Sequence, residues 1–132
     1  MARVKAGVSA GASIVNFFLG LQNTTKVYHW STTSHARHVA ADKLYDDINE
    51  LTDRFVETYM GKYGRPKMPA KNRVEVEQHT DASIINYMKE ACVYLSNELP
   101  AVLDVAVDSD LLNIRDEVLA KINQVLYLFS LT

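Results

Sequence analysis

The chain is poor in the residues that staple, interrupt or embed a fold. It holds one cysteine, Cys92, in 132 residues, so no intrachain disulfide can form and neither a cysteine-clustered zinc site nor an iron–sulfur site can be built. That thiol falls in an apolar helical pattern and is expected in the core; its reduced state suits a cytoplasmic setting. Apolar runs such as Phe17 to Leu21, with its glycine, reach no more than five residues, far short of the ~20 that cross a bilayer, so no membrane span is expected. Arg3 and Lys5 precede a moderately apolar segment, but Asn16, Gln22 and Asn23 interrupt it, and residues 10–30 are expected to be mature helix rather than a secretory leader. Charge of one sign is also missing. Fourteen basic against sixteen acidic side chains leave −2, which gives no general attraction to nucleic acid or anionic membrane. Strand signals are almost absent.

What is present is apolar side chains at helical spacing. With 48% hydrophobic and 23% charged residues, the chain suits a single domain over 1–132 that buries about two-thirds of its unfolded surface. Ile14, Phe17, Phe18, Leu21, Thr25 and Tyr28 predict a first helix from about Ser9 to Trp30. Ser34 can cap a second, ending near Met60 where Gly61, Gly64 and Pro66 follow, and a short turn makes the two an antiparallel hairpin. Residues 61–79 hold two prolines, two glycines and five basic residues and predict a long connection. Nineteen extended residues span up to ~60 Å against ~36 Å for a 24-residue helix, enough to return along the whole molecule and let the flanking helices run parallel. Ile84, Met88, Ala91, Leu95 and Val102 predict a third helix over about 81–107, kinked or split by Pro100. Asp108, Ser109 and Asp110 offer capping oxygens to a fourth, with Leu111, Ile114, Val118, Ile122, Val125 and Phe129 on one stripe and Leu112, Leu119 and Leu126 on a second. That surplus predicts a subunit interface. Short turn, long crossover between helices 2 and 3, short turn is the connectivity of an all-α, ferritin-like four-helix bundle.

The second helix divides its faces. Leu44, Ile48, Leu51, Phe55 and Tyr59 share an arc suited to a core, while His38, Asp42, Asp46, Asp53 and Glu57 fall within roughly 100° of one another on the adjoining arc. His29 ends the preceding helix beside Trp30. Imidazole with several carboxylates suits a divalent metal such as iron, manganese or zinc, with iron the leading candidate: carboxylates stabilise the ferric state, and a few histidines hold ferrous iron without trapping it. No Glu-x-x-His pair occurs, so a complete di-iron site inside one bundle is not expected. A site assembled between protomers, histidines from one and carboxylates from its two-fold mate, is the alternative.

On His29-Trp30, His38, Leu44-Tyr45 and Asp53-Arg54-Phe55-Val56-Glu57, the chain resembles the Dps family of mini-ferritins, as a divergent branch of the kind found in viruses or phages. The resemblance implies a hollow twelve-subunit shell built from two-fold dimers that oxidises Fe(II) with hydrogen peroxide or oxygen, stores the ferric mineral and protects against oxidative stress. It implies that His29 and His38 come from one protomer and Asp53 and Glu57 from its neighbour, with Asp42 nearby as ligand or supporting carboxylate. Asp46 and Glu50 are then candidates to receive ferric product. The histidines lie about three residues closer than the family's pattern, which leaves His35 as an alternative to His38, and the crossover shows no short helix.

Plainer readings accompany these. An acidic stripe is often a solvated face, and Asp46, Asp47 and Glu50 fit that description. Trp30 is expected as a packed anchor that the resemblance also places near the oxidising iron, and His79 as an exposed loop residue. Lys62, Arg65, Lys67, Lys71 and Arg73 are expected to solvate the long connection. Family members that bind DNA do so through lysine-rich termini, whereas Arg3, Lys5 and a Leu131-Thr132 end give little basis for it here. Two competing functions follow: a non-catalytic helical oligomerisation protein, and a DNA-compacting protein.

Overall fold

Five helices and no strand are formed among the residues described by the computed structural model, which are 8–131, with side chains from residue 10 onward. Arg3, Lys5 and Thr132 lie outside them. Helix α1 is Val8–Ser31, α2 is His35–Tyr63, α3 is Ser83–Val93, a π-helical turn covers Tyr94–Glu98, α4 is Leu99–Ala101 and α5 is Ser109–Phe129. No helix among them is long and apolar enough to cross a membrane.

Residues 32–34 reverse the chain between α1 and α2. Thr32 N–H still bonds the Tyr28 carbonyl, and the Ser34 hydroxyl accepts from Arg37 N–H, so an ordinary serine cap starts α2. Contacts then step down the antiparallel hairpin, from His29 on His38 through Lys26 on Asp42 and Gln22 on Asn49 to Phe18 on Phe55. Gly64, at φ +87°, ends α2 in a conformation that would strain any residue with a Cβ. The stop therefore falls at Tyr63 rather than Met60.

From Gly64 the chain returns as an extended strap along α1. Pro66 packs at Gly11, Asn72 exchanges side-chain hydrogen bonds with Asn16, Glu77 N–H bonds Thr24 Oγ1, and Asp81 accepts from Tyr28 and Thr32. At Gly20 a Cβ would sit 3.0 Å from the Glu75 carbonyl oxygen, so a side chain there would push the strap away. The route places α3 beside α1 and antiparallel to it. Tyr87 Oη bonds the Gly20 carbonyl and Tyr94 stacks on Phe17 at 3.7 Å. Helices α2 and α3 therefore run parallel.

Pro100 ends this limb earlier than its apolar spacing suggests. A proline has no N–H to offer four residues back, and the turn before it widens so that Leu99 N–H reaches the Tyr94 carbonyl. Helix stops at Ala101, and residues 102–108 turn into α5. That helix lies antiparallel to α2, with Lys62 on Asp110, Arg54 on Glu117, Lys121 on Asp47 and Arg37 on the Phe129 carbonyl marking the register.

The core runs between these limbs. Leu44, Ile48, Leu51, Phe55 and Tyr59 of α2 are buried against Ile14, Phe18, Leu21 and Tyr28 of α1, Ile84, Met88 and Leu95 of the third limb, and Leu111 to Phe129 of α5. Each such aromatic replaced by alanine should cost about 3–5 kcal/mol. The second α5 stripe, Leu112, Leu119 and Leu126, packs partly against this core, so it supplies less free apolar surface than its spacing suggests. Cys92 is half-buried there, and burial raises its thiol pKa.

Candidate metal-binding site

The turn between α1 and α2 brings two imidazoles face to face. His29, on the α2-facing side of α1, and His38, one turn into α2, stack with ring centroids 3.8 Å apart at 18°. Each ring is held by the other's backbone: His29 Nδ1 lies 2.7 Å from the His38 carbonyl and His38 Nδ1 lies 2.8 Å from the His29 carbonyl. A carbonyl only accepts, so both Nδ1 atoms carry hydrogen and, in the neutral rings, both Nε2 atoms keep a lone pair. This is how proteins fix a histidine tautomer for ligation. His29 is buried and His38 half-buried.

One carboxylate joins the pair. Asp42 Oδ1 is 3.8 Å from His29 Nε2 and 2.9 Å from Lys26 Nζ. The Lys26 hydrogen bond, outweighing the small desolvation, holds the Asp42 carboxyl below its usual range, and the two histidines add to this. His35 is exposed, with its ring 6.3 Å from that of His38, so His38 is the residue that meets His29.

Asp53 and Glu57 lie elsewhere in the same chain. They follow His38 by fifteen and nineteen residues on one continuous helix, ~22 and ~28 Å along its axis. Both are exposed, and neither makes an ion pair or hydrogen bond among the described residues. Glu57 borders an open cleft of about 540 Å³ between α2 and α5, lined by Arg54, Thr58, Asp110, Asn113, Ile114 and Glu117. Among the described residues, no three histidine, cysteine or acidic side chains of one chain converge to hold a metal. A single protomer stacks His29 on His38 and sets Asp42 beside His29, short of a three-ligand cluster among the described residues, and leaves the other two predicted ligands apart.

Residues 29–129 match the model of DUF5856, a family of unknown function. The chain belongs to this family. It is also 26% identical over 98 residues to an uncharacterized 14.6 kDa protein of the mobD-ri intergenic region of Enterobacteria phage T4, covering 69% of this chain and 74% of the relative. No solved structure matches the chain. The family match opens at His29 itself and takes in all five candidate ligands.

Several sequence expectations are corrected by the geometry. Trp30 is not a packed anchor: it is 68% exposed, with its ring beside the Lys26 ammonium. His79 is not an exposed loop residue; its ring lies against Tyr87, and its nitrogens meet Ser83 Oγ and Glu77. Asp108 stands at the α5 cap position but caps nothing there. Its buried carboxylate accepts instead from Asp104 N–H, Tyr63 Oη and Lys62. Of the basic residues in the connection, Lys62 is paired, whereas Arg65, Lys67, Lys71 and Arg73 are exposed.

Lys26 and Arg37 have no counterpart in the expected site. Arg37 bonds Tyr28 Oη and the carbonyls of Asp81 and Phe129, tying the start of α2 to the strap and to α5 beside His38. Lys26 had one sequence signal, its place three residues before His29 and so on the same side of α1. Its partner Asp42 is visible only once the hairpin register is known.

Proposed function

We propose that the protein is a Dps-like mini-ferritin: a ferritin-like four-helix bundle, assembled as a homo-oligomer of two-fold dimers and closed as a hollow dodecamer, that binds and oxidises Fe(II). The observation that carries this reading is the stacked His29–His38 pair, with both Nδ1 atoms spent on backbone carbonyls and the Nε2 of His29 facing Asp42. The antiparallel α1–α2 hairpin, the long strap and the parallel α2 and α3 agree with the ferritin-like connectivity. The exposed carboxylates agree with a shared site. A two-fold axis crossing α2 near Asp46, about midway between His38 and the Asp53–Glu57 turn, sets the histidines of one protomer level with the partner's Asp53 and Glu57.

In this reading Fe(II) is the substrate. His29 and His38 receive it, the partner's Asp53 and Glu57 complete its oxygen-rich shell, and each ferrous ion loses one electron to hydrogen peroxide or oxygen. Carboxylates such as Asp46 and Glu50 pass ferric product to a mineral stored inside. Consuming ferrous iron and peroxide together protects against hydroxyl radical, and a reducing cytoplasm supplies the ferrous ion.

The test measures assembly mass and Fe(II) oxidation on the same samples. Wild type should elute at twelve times 14.9 kDa, about 179 kDa, and oxidise ferrous iron. The pair Asp53→Ala, Glu57→Ala should keep that mass and lose about 10–100-fold in oxidation, the usual penalty for damaging a metal shell. Wild-type oxidation by the double variant would refute the site.

A second reading rests on the four exposed cations of the strap, Arg65, Lys67, Lys71 and Arg73, as a phosphate-binding edge of a DNA-compacting protein. Duplex retardation at low salt that vanishes when these four are replaced would favour it.

A further inference from the structure

Lys26 stands where an incoming cation would meet Asp42. Its ammonium is 2.9 Å from Asp42 Oδ1, the same oxygen that faces His29 Nε2. The Tyr45 and Trp30 rings flank it, with centroids at 4.7 and 5.7 Å. Along α2, Asp47 is paired with Lys43 and Lys121 on the side toward α5, Asp46, Asp53 and Glu57 have no cationic partner among the described residues, and Lys26 is the cation that meets the carboxylate beside the stacked imidazoles.

We propose that Lys26 is a tethered competitor, holding Asp42 in the metal-free protein and yielding that carboxylate only when a divalent cation takes its place beside His29. The inference rests on the metal reading given above and adds a residue that sets how tightly the metal is held. An ammonium on the same helix as His29 is always present at high effective concentration, and its charge opposes a second cation at the same oxygen. The ordered pair also keeps Asp42 from facing the imidazoles as a lone anion before metal arrives. Weakened binding suits a site that must pass its ion onward.

The test is a Co(II) titration of the full-length assembled protein, followed by the visible absorption of the bound ion. Lys26→Met should bind Co(II) roughly tenfold more tightly than wild type, a size set by one adjacent but partly exposed charge. Lys26→Gln repeats the measurement with a second neutral side chain, so misfolding of one variant does not remove the test. Lys26→Arg keeps the charge and should keep wild-type affinity. In an Asp42→Asn background the gain from Lys26→Met should disappear. Equal affinity in wild type and both neutral variants would overturn the role of Lys26 alone, as would tightening in Lys26→Arg. No Co(II) binding by any of these proteins would overturn this inference and the metal reading together.

Discussion

The two ends of α2 carry ionisable clusters of opposite character. At the Tyr63 end, Asp108 is fully buried and every nearby donor is used: Asp104 N–H at 2.7 Å, Tyr63 Oη at 2.6 Å and Lys62 Nζ at 3.1 Å, with Lys62 also 2.8 Å from Asp110. At the His38 end, two imidazoles are fixed through one nitrogen each, and the other nitrogens make no hydrogen bond among the described residues. Beyond them Asp46, Glu50, Asp53 and Glu57 project outward. A saturated cluster has nothing left to offer a ligand and contributes to folding. An unsaturated cluster that is nonetheless held in place has the preorganisation a binding site needs.

The comparison breaks most easily at Asp108. Asp108→Ala should strand the Asp104 N–H and the Tyr63 hydroxyl and leave Lys62 with Asp110 and the Val107 carbonyl, costing about 2–4 kcal/mol in urea denaturation, the largest effect expected of any polar substitution here. Burial pushes the Asp108 carboxyl up, but the Asp104 N–H, Tyr63 and Lys62 together hold it below the usual range. A depressed folded pKa means the stabilisation is complete above the ordinary carboxylate value of about 4 and is lost as pH falls through the folded value. Tyr63, pushed up to about 12 by its bond to Asp108 and by burial, works in the other direction: its share is complete below about 10 and is lost as pH rises through that raised value. Asp108→Asn should therefore flatten both the acid and the alkaline limbs of a stability–pH profile. Unchanged limbs would remove Asp108 as their source.

His29 is intermediate. It is buried and anchors one imidazole–carbonyl bond in each direction across the hairpin, yet half of its hydrogen-bonding capacity is idle. His29→Ala should lower metal-free stability by only about 1–2 kcal/mol, less than Asp108→Ala although both side chains are buried. Denaturation midpoints of the two variants, measured with chelator present, give the ranking; a larger loss for His29→Ala would make the histidine pair a structural core element.

The same contrast separates what was legible in the sequence from what was not. Helical periodicity located the buried faces of α2 and α5, because each helix sets one stripe against the core and apolar spacing records it directly. The length of the connection alone foretold that the strap could return along the whole bundle. Its path depends on Asn16 meeting Asn72 and Glu77 meeting Thr24, pairings of residues more than fifty positions apart that leave no local pattern. His29 and His38 were legible as candidates because a short turn forces their neighbourhood. Lys26 was not, since the partner of a lysine depends on the exact register of two helices. Trp30 was misjudged because a helix touching two neighbours still has an outer edge, and large aromatic side chains give no sign of which edge they occupy. At Asp108 the sequence carried a cap signal, and tertiary donors claimed the carboxylate instead.

The smallest expected effect tests the exposed half of the comparison. Asp53→Ala and Glu57→Ala remove two outward side chains without partners among the described residues, and their loss relieves like-charge repulsion within the acidic stripe. The stability of the metal-free protein should change by no more than about 0.5 kcal/mol, with any change in the stabilising direction. Thermal unfolding with chelator present measures this. With Co(II) added, wild type should gain a higher midpoint that the double variant lacks, because only a ligand bound preferentially to the folded state raises it. A loss above 1 kcal/mol in the metal-free double variant would show that these carboxylates support the fold or its assembly, and the division between a saturated structural end and an open ligating end would fail at the residues on which it most depends.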